Sequence, residues 1–252
     1  MYAVERRQEI VSVIEAAGRG DVAELAERFG VTPETIRRDL TELERHRLVR
    51  RVHGGAISID RFRAEPELTE REASMAAEKG AIAAASVAFV PERGSVLIDA
   101  GTTTMALARA LPDRELTVFT HSMPIGLEVV GRRSIQLYLV GGRVRARTLA
   151  NVDDWALRQL VDLRVDVAFV GTNGLSVERG LSTPDPAEAA VKRAMCLGAQ
   201  QTVVLADRTK LRSEAAVRFA GIDEVDVLVT DRGFPEADRR EFEEAGVEVV
   251  AA

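Results

Sequence analysis

The first sixty residues contain three short runs in which apolar side chains recur at helical spacing. The runs span residues 10–17, 22–29 and 36–43, and each places apolar residues three or four positions apart. This period predicts amphipathic helices that bury one stripe against a common core. Gly18 and Gly20 follow the first run and predict its end, because glycine terminates helices readily.

Local signals also mark the boundaries of the second and third helices. Asp21 and Glu24 have the spacing of a capping box at the start of the second helix, and Gly30 predicts its end. Thr32 and Pro33 then supply a cap residue and a proline at the first helical position. Two short helices joined by a three-residue turn with glycine are typical of a helix-turn-helix.

The polar face of the third helix bears arginine and threonine, which suit DNA. Arginine can fork onto guanine or bind phosphate, and threonine can contact a phosphate or a thymine methyl group. Residues 48–52 are predicted as a strand and residues 53–55 as its turn, so that a basic hairpin forms a wing. The candidate DNA-contacting residues are Thr32, Pro33, Glu34, Thr35, Arg37, Arg38, Thr41, Arg50, Arg51 and His53.

The charge of the whole chain and the charge of this segment have opposite implications for DNA binding. The whole chain carries a net charge of −6, but phosphate responds to the field within about one Debye length rather than to the total. Between residues 35 and 53, six arginines face three acidic side chains. The alternative is a helical bundle whose arginines form a solvated face; the agreement of helices, turn and basic hairpin favours DNA binding.

The remainder of the chain has a different pattern. Residues 58–78 show no clean period and are expected to be a linker between a domain of residues 1–57 and one of residues 79–252. The second domain alternates β-rich segments with helical stretches, which predicts a mostly parallel sheet covered on both faces. The predicted strands are 96–98, 116–119, 135–140, 165–170, 202–205, 225–229 and 247–250.

Ligands of such sheets bind beyond the carboxyl ends of the strands. Asp99 and Gly101 follow the first predicted strand, and three threonines open the next helix, where free amide groups can accept a phosphate. This turn can equally be a plain helix cap. With the other strand ends, the candidate ligand residues are Asp99, Gly101, Thr102, Thr103, Thr104, His121, Ser122, Gly141, Gly142, Arg143, Gly171, Asn173, Gly174, Asp185, Glu188, Lys192 and Lys210.

Both halves resemble the DeoR family of transcriptional regulators. The first half carries Val31-Thr-Pro-Glu-Thr-Ile-Arg-Arg-Asp-Leu40 and Leu48-Val-Arg-Arg-Val-His-Gly-Gly55. The second carries, in order, Asp-Ala-Gly-Thr-Thr, Gly-Gly, Gly-Thr-Asn-Gly-Leu, a Thr-Pro-Asp segment ending at Lys192, and Ala-Asp-Arg-Thr-Lys.

This resemblance implies a winged helix-turn-helix joined to an α/β sensor domain similar in fold to ribose-5-phosphate isomerase. It implies an effector that is a phosphorylated sugar. We expect a repressor that this sugar releases from operator DNA and that acts as a homo-oligomer, dimer or tetramer; the opposite sign, in which the ligand promotes DNA binding or activation, stays open. By the same resemblance, Gly101, Thr102 and Thr103 hold phosphate with help from Lys210, and Asp185, Glu188 and Lys192 surround the sugar hydroxyls.

Two departures from the family pattern stand out. The chain has Thr120-His121-Ser122 where members commonly have Thr-Asn-Ser, and Val152-Asp153-Asp154 where many have Val-Gly-Pro. His121 either alters ligand preference or fills the space of the amide. Residues 171–185 most resemble the fructose-operon repressors of the family, which suggests fructose 1-phosphate as the effector.

Two other functions remain open at this level. Glu188 and Lys192, four residues apart, could be acid–base groups of a sugar-phosphate isomerase, or merely a surface ion pair. The second domain could also serve chiefly for oligomerisation. We expect no enzyme activity, cofactor or metal. We also expect a cytoplasmic protein without membrane association, because neither a signal peptide nor an apolar run of ~20 residues is present. Trp155 is expected to pack in the interior, and Cys196, the single cysteine, to be buried.

Overall fold

The computed structural model describes residues 3–17, 19–46, 48–52, 54–58 and 67–252. The chain divides into two compact units, Met1–Glu65 and Pro66–Ala252. The boundary between the units falls inside the segment expected to be a linker. Each unit has a hydrophobic core of its own.

The described residues of the first unit form three helices and a small antiparallel sheet. Its core contains the apolar stripes that the periodicity predicts, including the fully buried Ile10, Ile14 and Ile36. The three strands lie in the order β1-β3-β2. The elements are α1 (Ala3–Ala17), β1 (Arg19–Asp21), α2 (Val22–Phe29), α3 (Pro33–Arg45), β2 (Val49–Val52) and β3 (Gly55–Ser58).

The helix boundaries follow the local signals closely. Asp21 caps α2 by accepting a 2.7 Å hydrogen bond from the amide of Ala23, and Gly30 ends it in the left-handed region at φ 62°. Thr32 caps α3 through a 3.2 Å hydrogen bond from the amide of Thr35. The prediction missed β1, because three residues are too short to show strand alternation.

A buried carboxylate joins two of these helices. Asp39 lies on the inner side of α3 and accepts hydrogen bonds from Arg6 Nε at 2.7 Å and from Arg7 Nε at 2.9 Å, both on α1. Because a buried carboxylate needs such partners, Asp39 fixes the position of α3 against α1. Its charge therefore serves packing, although in the sequence it counts among the acidic residues beside the arginines.

The second unit is built on a seven-stranded, wholly parallel sheet with the strand order β15-β14-β12-β9-β4-β5-β6. This confirms the predicted α/β class, and separate apolar clusters cover the two faces. The sheet strands are β4 (Arg93–Ile98), β5 (Glu115–Thr120), β6 (Ile135–Leu139), β9 (Val165–Gly171), β12 (Ala199–Leu205), β14 (Val227–Thr230) and β15 (Glu248–Ala251).

Helices and short strands complete this unit. The short strands form a hairpin of β7 with β8 and a three-stranded sheet in the order β10-β11-β13, neither of which was predicted. The helices are α4 (Leu68–Ala73), α5 (Ala76–Ser86), α6 (Thr102–Ala110), α7 (Met123–Val129), α8 (Asp153–Leu160), α9 (Pro186–Gly198) and α10 (Glu236–Glu244). The short strands are β7 (Arg143–Arg145), β8 (Ala150–Val152), β10 (Gly174–Ser176), β11 (Gly180–Thr183) and β13 (Val217–Ala220).

Two expectations need correction. Residues 68–78, expected to be part of a linker, form α4 and the start of α5; α4 buries no side chain, so it shows no apolar stripe. Trp155 does not pack in the interior, since 75 % of it is exposed on α8. Cys196 is buried as expected, and burial raises the pKa of its thiol to about 12.

Phe169 tests the position of the sheet core, because it is fully buried on β9, near the centre of the sheet. Phe169→Ala should lower the free energy of unfolding by about 3–5 kcal/mol, since it leaves a cavity. Phe169→Leu, which keeps most of the volume, should cost less than about 1.5 kcal/mol. Denaturant unfolding followed by circular dichroism measures both, and equally small losses would contradict this packing.

Candidate nucleic-acid interface and ligand site

The outer face of α3 presents cations to solvent. Arg37 pairs loosely with Glu34 at 3.3 Å, and both side chains are more than half exposed. Arg38 is also exposed, and no described residue forms a hydrogen bond or an ion pair with it. Its guanidinium is therefore available to an external partner, as the sequence predicts for a recognition helix.

The hairpin of β2 and β3 lies beside this face. Arg51, on β2, donates a 3.1 Å hydrogen bond through Nη1 to Thr41 Oγ1 on α3, and its amide donates to Glu44. Arg37 and Arg51 line one groove together with Pro33. The third helix and the hairpin thus carry positive charge to the same side of the unit. His53 falls outside the described residues, and Arg50 is half-buried on β2.

In the second unit, several predicted ligand residues meet at the carboxyl ends of β4, β5 and β9. Asp99 follows β4 and is fully buried. Its Oδ2 accepts a hydrogen bond from Lys192 Nζ, on α9, and a 2.8 Å bond from the amide of Gly171. Lys192 also donates to the carbonyl oxygen of Gly171 at 3.0 Å. One buried ion pair therefore ties two central strand ends to α9.

His121 belongs to the same buried cluster. Its Nδ1 lies 3.0 Å from the carbonyl oxygen of Asn151, which can only accept, so Nδ1 carries a proton. Its Nε2 lies 3.0 Å from Asp99 Oδ1 and 3.1 Å from the amide nitrogen of Ala100. The ring therefore links the turn after β4 to β8.

The pKa of Asp99 reflects this environment. Burial alone would raise it, but the charge of Lys192 and the hydrogen bond with His121 more than offset burial, and the pKa falls to about 2. Asp99 is therefore ionised throughout the neutral range. It holds a lysine that would otherwise be an unpaired buried cation.

Glu188 has a separate set of partners. It is buried on α9 and accepts hydrogen bonds from Thr148 Oγ1 and, at 3.2 Å, from Arg145 Nη1. Arg145 also pairs with Asp185, the cap residue of α9, at 3.0 Å. Glu188 and Lys192 are therefore not a surface ion pair, since both are buried and face different partners. Each potential acid–base group is already held in place by a charge.

Sequence reasoning missed Arg145 and Thr148. It selected Arg143 instead, which forms an exposed pair with Asp153. The sequence offered one signal for these two residues, the polar stretch 143–148 after the glycine pair. A buried carboxylate such as Glu188 on α9 needs a cation, and this stretch contains one. Only the fold shows that the hairpin of β7 and β8 reaches α9.

The three consecutive threonines after Gly101 have different roles. Thr104 is buried and its hydroxyl donates a 3.0 Å hydrogen bond to the carbonyl oxygen of Gly101. Thr103 is also buried. Thr102 lines a cavity of about 120 Å³ together with Gly101 and Ser122. The predicted phosphate turn therefore offers one hydroxyl and the amino terminus of α6 to this cavity.

The other predicted ligand residues are not among the described residues that line this cavity. Asn173 accepts a 3.1 Å hydrogen bond from Thr183 Oγ1, Lys210 ends a 3₁₀ turn after β12, and Gly174 opens β10. Gly141 bonds to Gln159 through its amide, and Gly142 lies against the backbone of Val152. Their roles stay predictions.

The described ranges contain no group of three or more His, Cys, Asp or Glu side chains that could hold a metal ion. No helix within them is both long and apolar enough to cross a membrane.

Comparison with known proteins identifies the family. The DeoR-like helix-turn-helix domain matches residues 6–62, and the DeoR C-terminal sensor domain matches residues 74–232. Because the sensor-domain match alone spans more than half of the chain, the chain belongs to the DeoR family. Its first unit is thus a helix-turn-helix domain and its second a sensor domain.

Individual relatives agree with this assignment. The chain is 37 % identical over 251 residues to the transcriptional regulator GlpR of Haloferax volcanii, covering 99 % of this chain and 98 % of the relative. It is 34 % identical to the regulator FruR of Bacillus subtilis, covering 92 % of each. Ribose 5-phosphate isomerase A of Methanocaldococcus jannaschii aligns over 55 % of each chain, with 18 % identity and a TM-score of 0.41.

The ion pair of Asp99 and Lys192 generates a pH-dependent prediction. Lys192→Met should lower the free energy of unfolding at pH 7 by about 3–5 kcal/mol, because it leaves Asp99 buried without its cation. In the parent, the pKa of Asp99 lies below its ordinary value of 3.8, so its stabilisation is present above that value and is lost as pH falls through about 2.

Without Lys192 the pKa of Asp99 rises, and the folded variant takes up a proton at higher pH than the parent. The difference in unfolding free energy between the two proteins should therefore shrink as pH falls from 7 towards 3. Denaturant titrations across this range measure it. A difference that is constant with pH would contradict the pairing.

Proposed function

We propose that this protein is a transcriptional repressor whose first unit binds operator DNA. The observation that carries this half of the proposal is the groove shared by Arg37 and Arg51, beside an exposed Arg38 that has no partner among the described residues. A helix of this kind enters the major groove while a hairpin follows the phosphate backbone. The family membership supports this function independently.

We infer that the second unit binds a phosphorylated sugar at the carboxyl edge of its sheet. The cavity beside Gly101 supports this, because Thr102, Ser122 and the free amides at the start of α6 converge there. The buried pair of Asp99 and Lys192 lies at the same edge of the sheet, and Thr148, a partner of Glu188, lines the cavity itself. The ligand must prefer the arrangement with weak operator affinity in order to release DNA.

Fructose 1-phosphate is our proposed effector. Its support is the resemblance of residues 171–185 to fructose-operon repressors, together with the similarity to FruR. The similarity to GlpR is as high, so the effector is best identified by a panel of phosphorylated sugars that includes fructose 1-phosphate, fructose 6-phosphate and ribose 5-phosphate.

We also propose that the protein acts as a homo-oligomer, dimer or tetramer, with each winged helix on one half-site. The second unit exposes several large apolar side chains, and apolar surface of this kind is used in contacts between subunits. They include Leu127 on α7, Tyr138 on the edge strand β6 and Trp155 on α8.

Arg38→Ala tests DNA binding. It should raise the operator dissociation constant about 5- to 150-fold, the equivalent of ~1–3 kcal/mol, because it removes an arginine contact to base or phosphate. An operator duplex selected from a random pool by the parent protein provides the probe. Arg240→Ala on α10 is the control for loss of one exposed arginine and should change nothing. Unaltered affinity in a folded Arg38→Ala protein would refute the assignment of α3.

Thr102→Val tests the ligand site. The effector found in the panel should stabilise the parent by about 2.7 kcal/mol at ~100 times its dissociation constant. Loss of the Thr102 hydroxyl should raise the dissociation constant of the effector about 3- to 15-fold. Thr117→Val in the middle of β5 should leave effector binding unchanged. Calorimetry measures both. Rapid isomerisation of the ligand by the parent would instead favour a sugar-phosphate isomerase.

A further inference from the structure

The cavity beside α6 has one basic side chain that sequence reasoning did not select. Arg109 lines it, as do Thr102 and Met105. These residues are three, four and seven positions apart and share one face of α6. The Cα of Arg109 lies about 10 Å along the helix from that of Thr102, and side chains on a helix lean towards its amino terminus. Arg109 therefore extends from the outer end of the cavity towards the phosphate turn.

A helix at the start of the second unit closes the other side of the same cavity. Leu68 and Glu72, both on α4, are among its lining residues. Glu72 Oε1 lies 3.0 Å from Arg109 Nη2, while Glu128 holds the same guanidinium more loosely at 3.7 Å. An anion that enters the cavity thus meets a carboxylate on α4 and a guanidinium already paired with it.

The side chains of α4 make mostly exposed contacts, and its firmest anchor lies at its carboxyl end. None of its side chains is buried, and Glu67, just before it, lies 3.7 Å from Arg147. Lys79 Nζ donates hydrogen bonds to the carbonyl oxygens of Arg71 and Ser74 at its end. Segments with few buried contacts and exposed ion pairs move at low cost. The helix is therefore suited to respond to a ligand.

Helix α4 lies close in sequence to the DNA-binding unit, so a movement of this helix can affect that unit. Strand β3 of the helix-turn-helix unit ends at Ser58, and α4 begins at Leu68. Only nine residues of chain separate them. A change in the position of α4 thus acts on the part of the sensor unit that lies nearest in sequence to the DNA-binding unit.

We propose that Arg109 binds the phosphate of the effector and that Glu72 occupies Arg109 when the effector is absent. A phosphate carries more charge than one carboxylate and matches the guanidinium fork with two oxygens. It therefore displaces Glu72 and repels it, which releases α4 from the cavity and lowers operator affinity. This inference rests on the proposed phosphosugar function.

Two substitutions at the pair separate this role from a purely structural one. Arg109→Gln should raise the dissociation constant of fructose 1-phosphate, or of the best binder of the panel, about tenfold or more, because a charged hydrogen bond is lost. Glu72→Gln should lower the same dissociation constant several-fold, because the competing carboxylate is gone. A structural ion pair would give effects of the same sign. Glu236→Gln, which breaks the exposed pair with Arg240 on α10, is the matched control and should change nothing.

Two readouts without sugar complete the test. Glu72→Gln should weaken operator binding in the absence of any ligand, and amide hydrogen exchange should speed up in α4. Unchanged effector affinity in both variants, measured beside a parent that binds, would overturn the role of the pair and leave the proposed function intact. If the parent binds no sugar phosphate and Glu72→Gln binds operator as the parent does, both proposals fail.

Discussion

The buried ion pair of Asp99 and Lys192 is the interaction on which the carboxyl edge of the sheet depends. A parallel sheet leaves its strand ends as separate turns, and polar groups there must be paired once helices cover them. Asp99 joins the end of β4 to the amide of Gly171 at the end of β9, and Lys192 ties both to α9. The pair thereby fixes the turn from which α6, and with it the cavity, begins.

Features coded by neighbouring residues were predictable. Gly30 and Thr32 determine helix boundaries through their own backbone and side chains, and the alternation of apolar strands with helices gave the class of the second unit. The stretch around Glu67 was missed, because α4 is short and buries nothing, so no apolar period marks it. Strand β1 was missed for a similar reason, since three residues cannot display an alternation.

Features that depend on distant residues were not predictable. Glu188 and Lys192 have the spacing of a surface pair, and only the fold shows that each is buried against a different partner. Arg145, on the same hairpin as the predicted Arg143, was not selected, because its contacts with Asp185 and Glu188 on α9 appear only in the fold. Trp155 was expected to be a packing residue, yet it lies on the exposed side of α8, and the position of one aromatic residue on a helix does not by itself determine its burial.

The central claim is that operator and sugar phosphate compete through one equilibrium. Coupling of this kind is reciprocal, so each ligand must weaken the other by the same factor. The direct measurement is the dissociation constant of the effector, determined by calorimetry with and without saturating operator duplex. We expect saturating operator DNA to raise the dissociation constant of the effector. The factor should equal the one by which saturating effector raises the dissociation constant of the operator. An effector affinity that operator DNA leaves unchanged would contradict it.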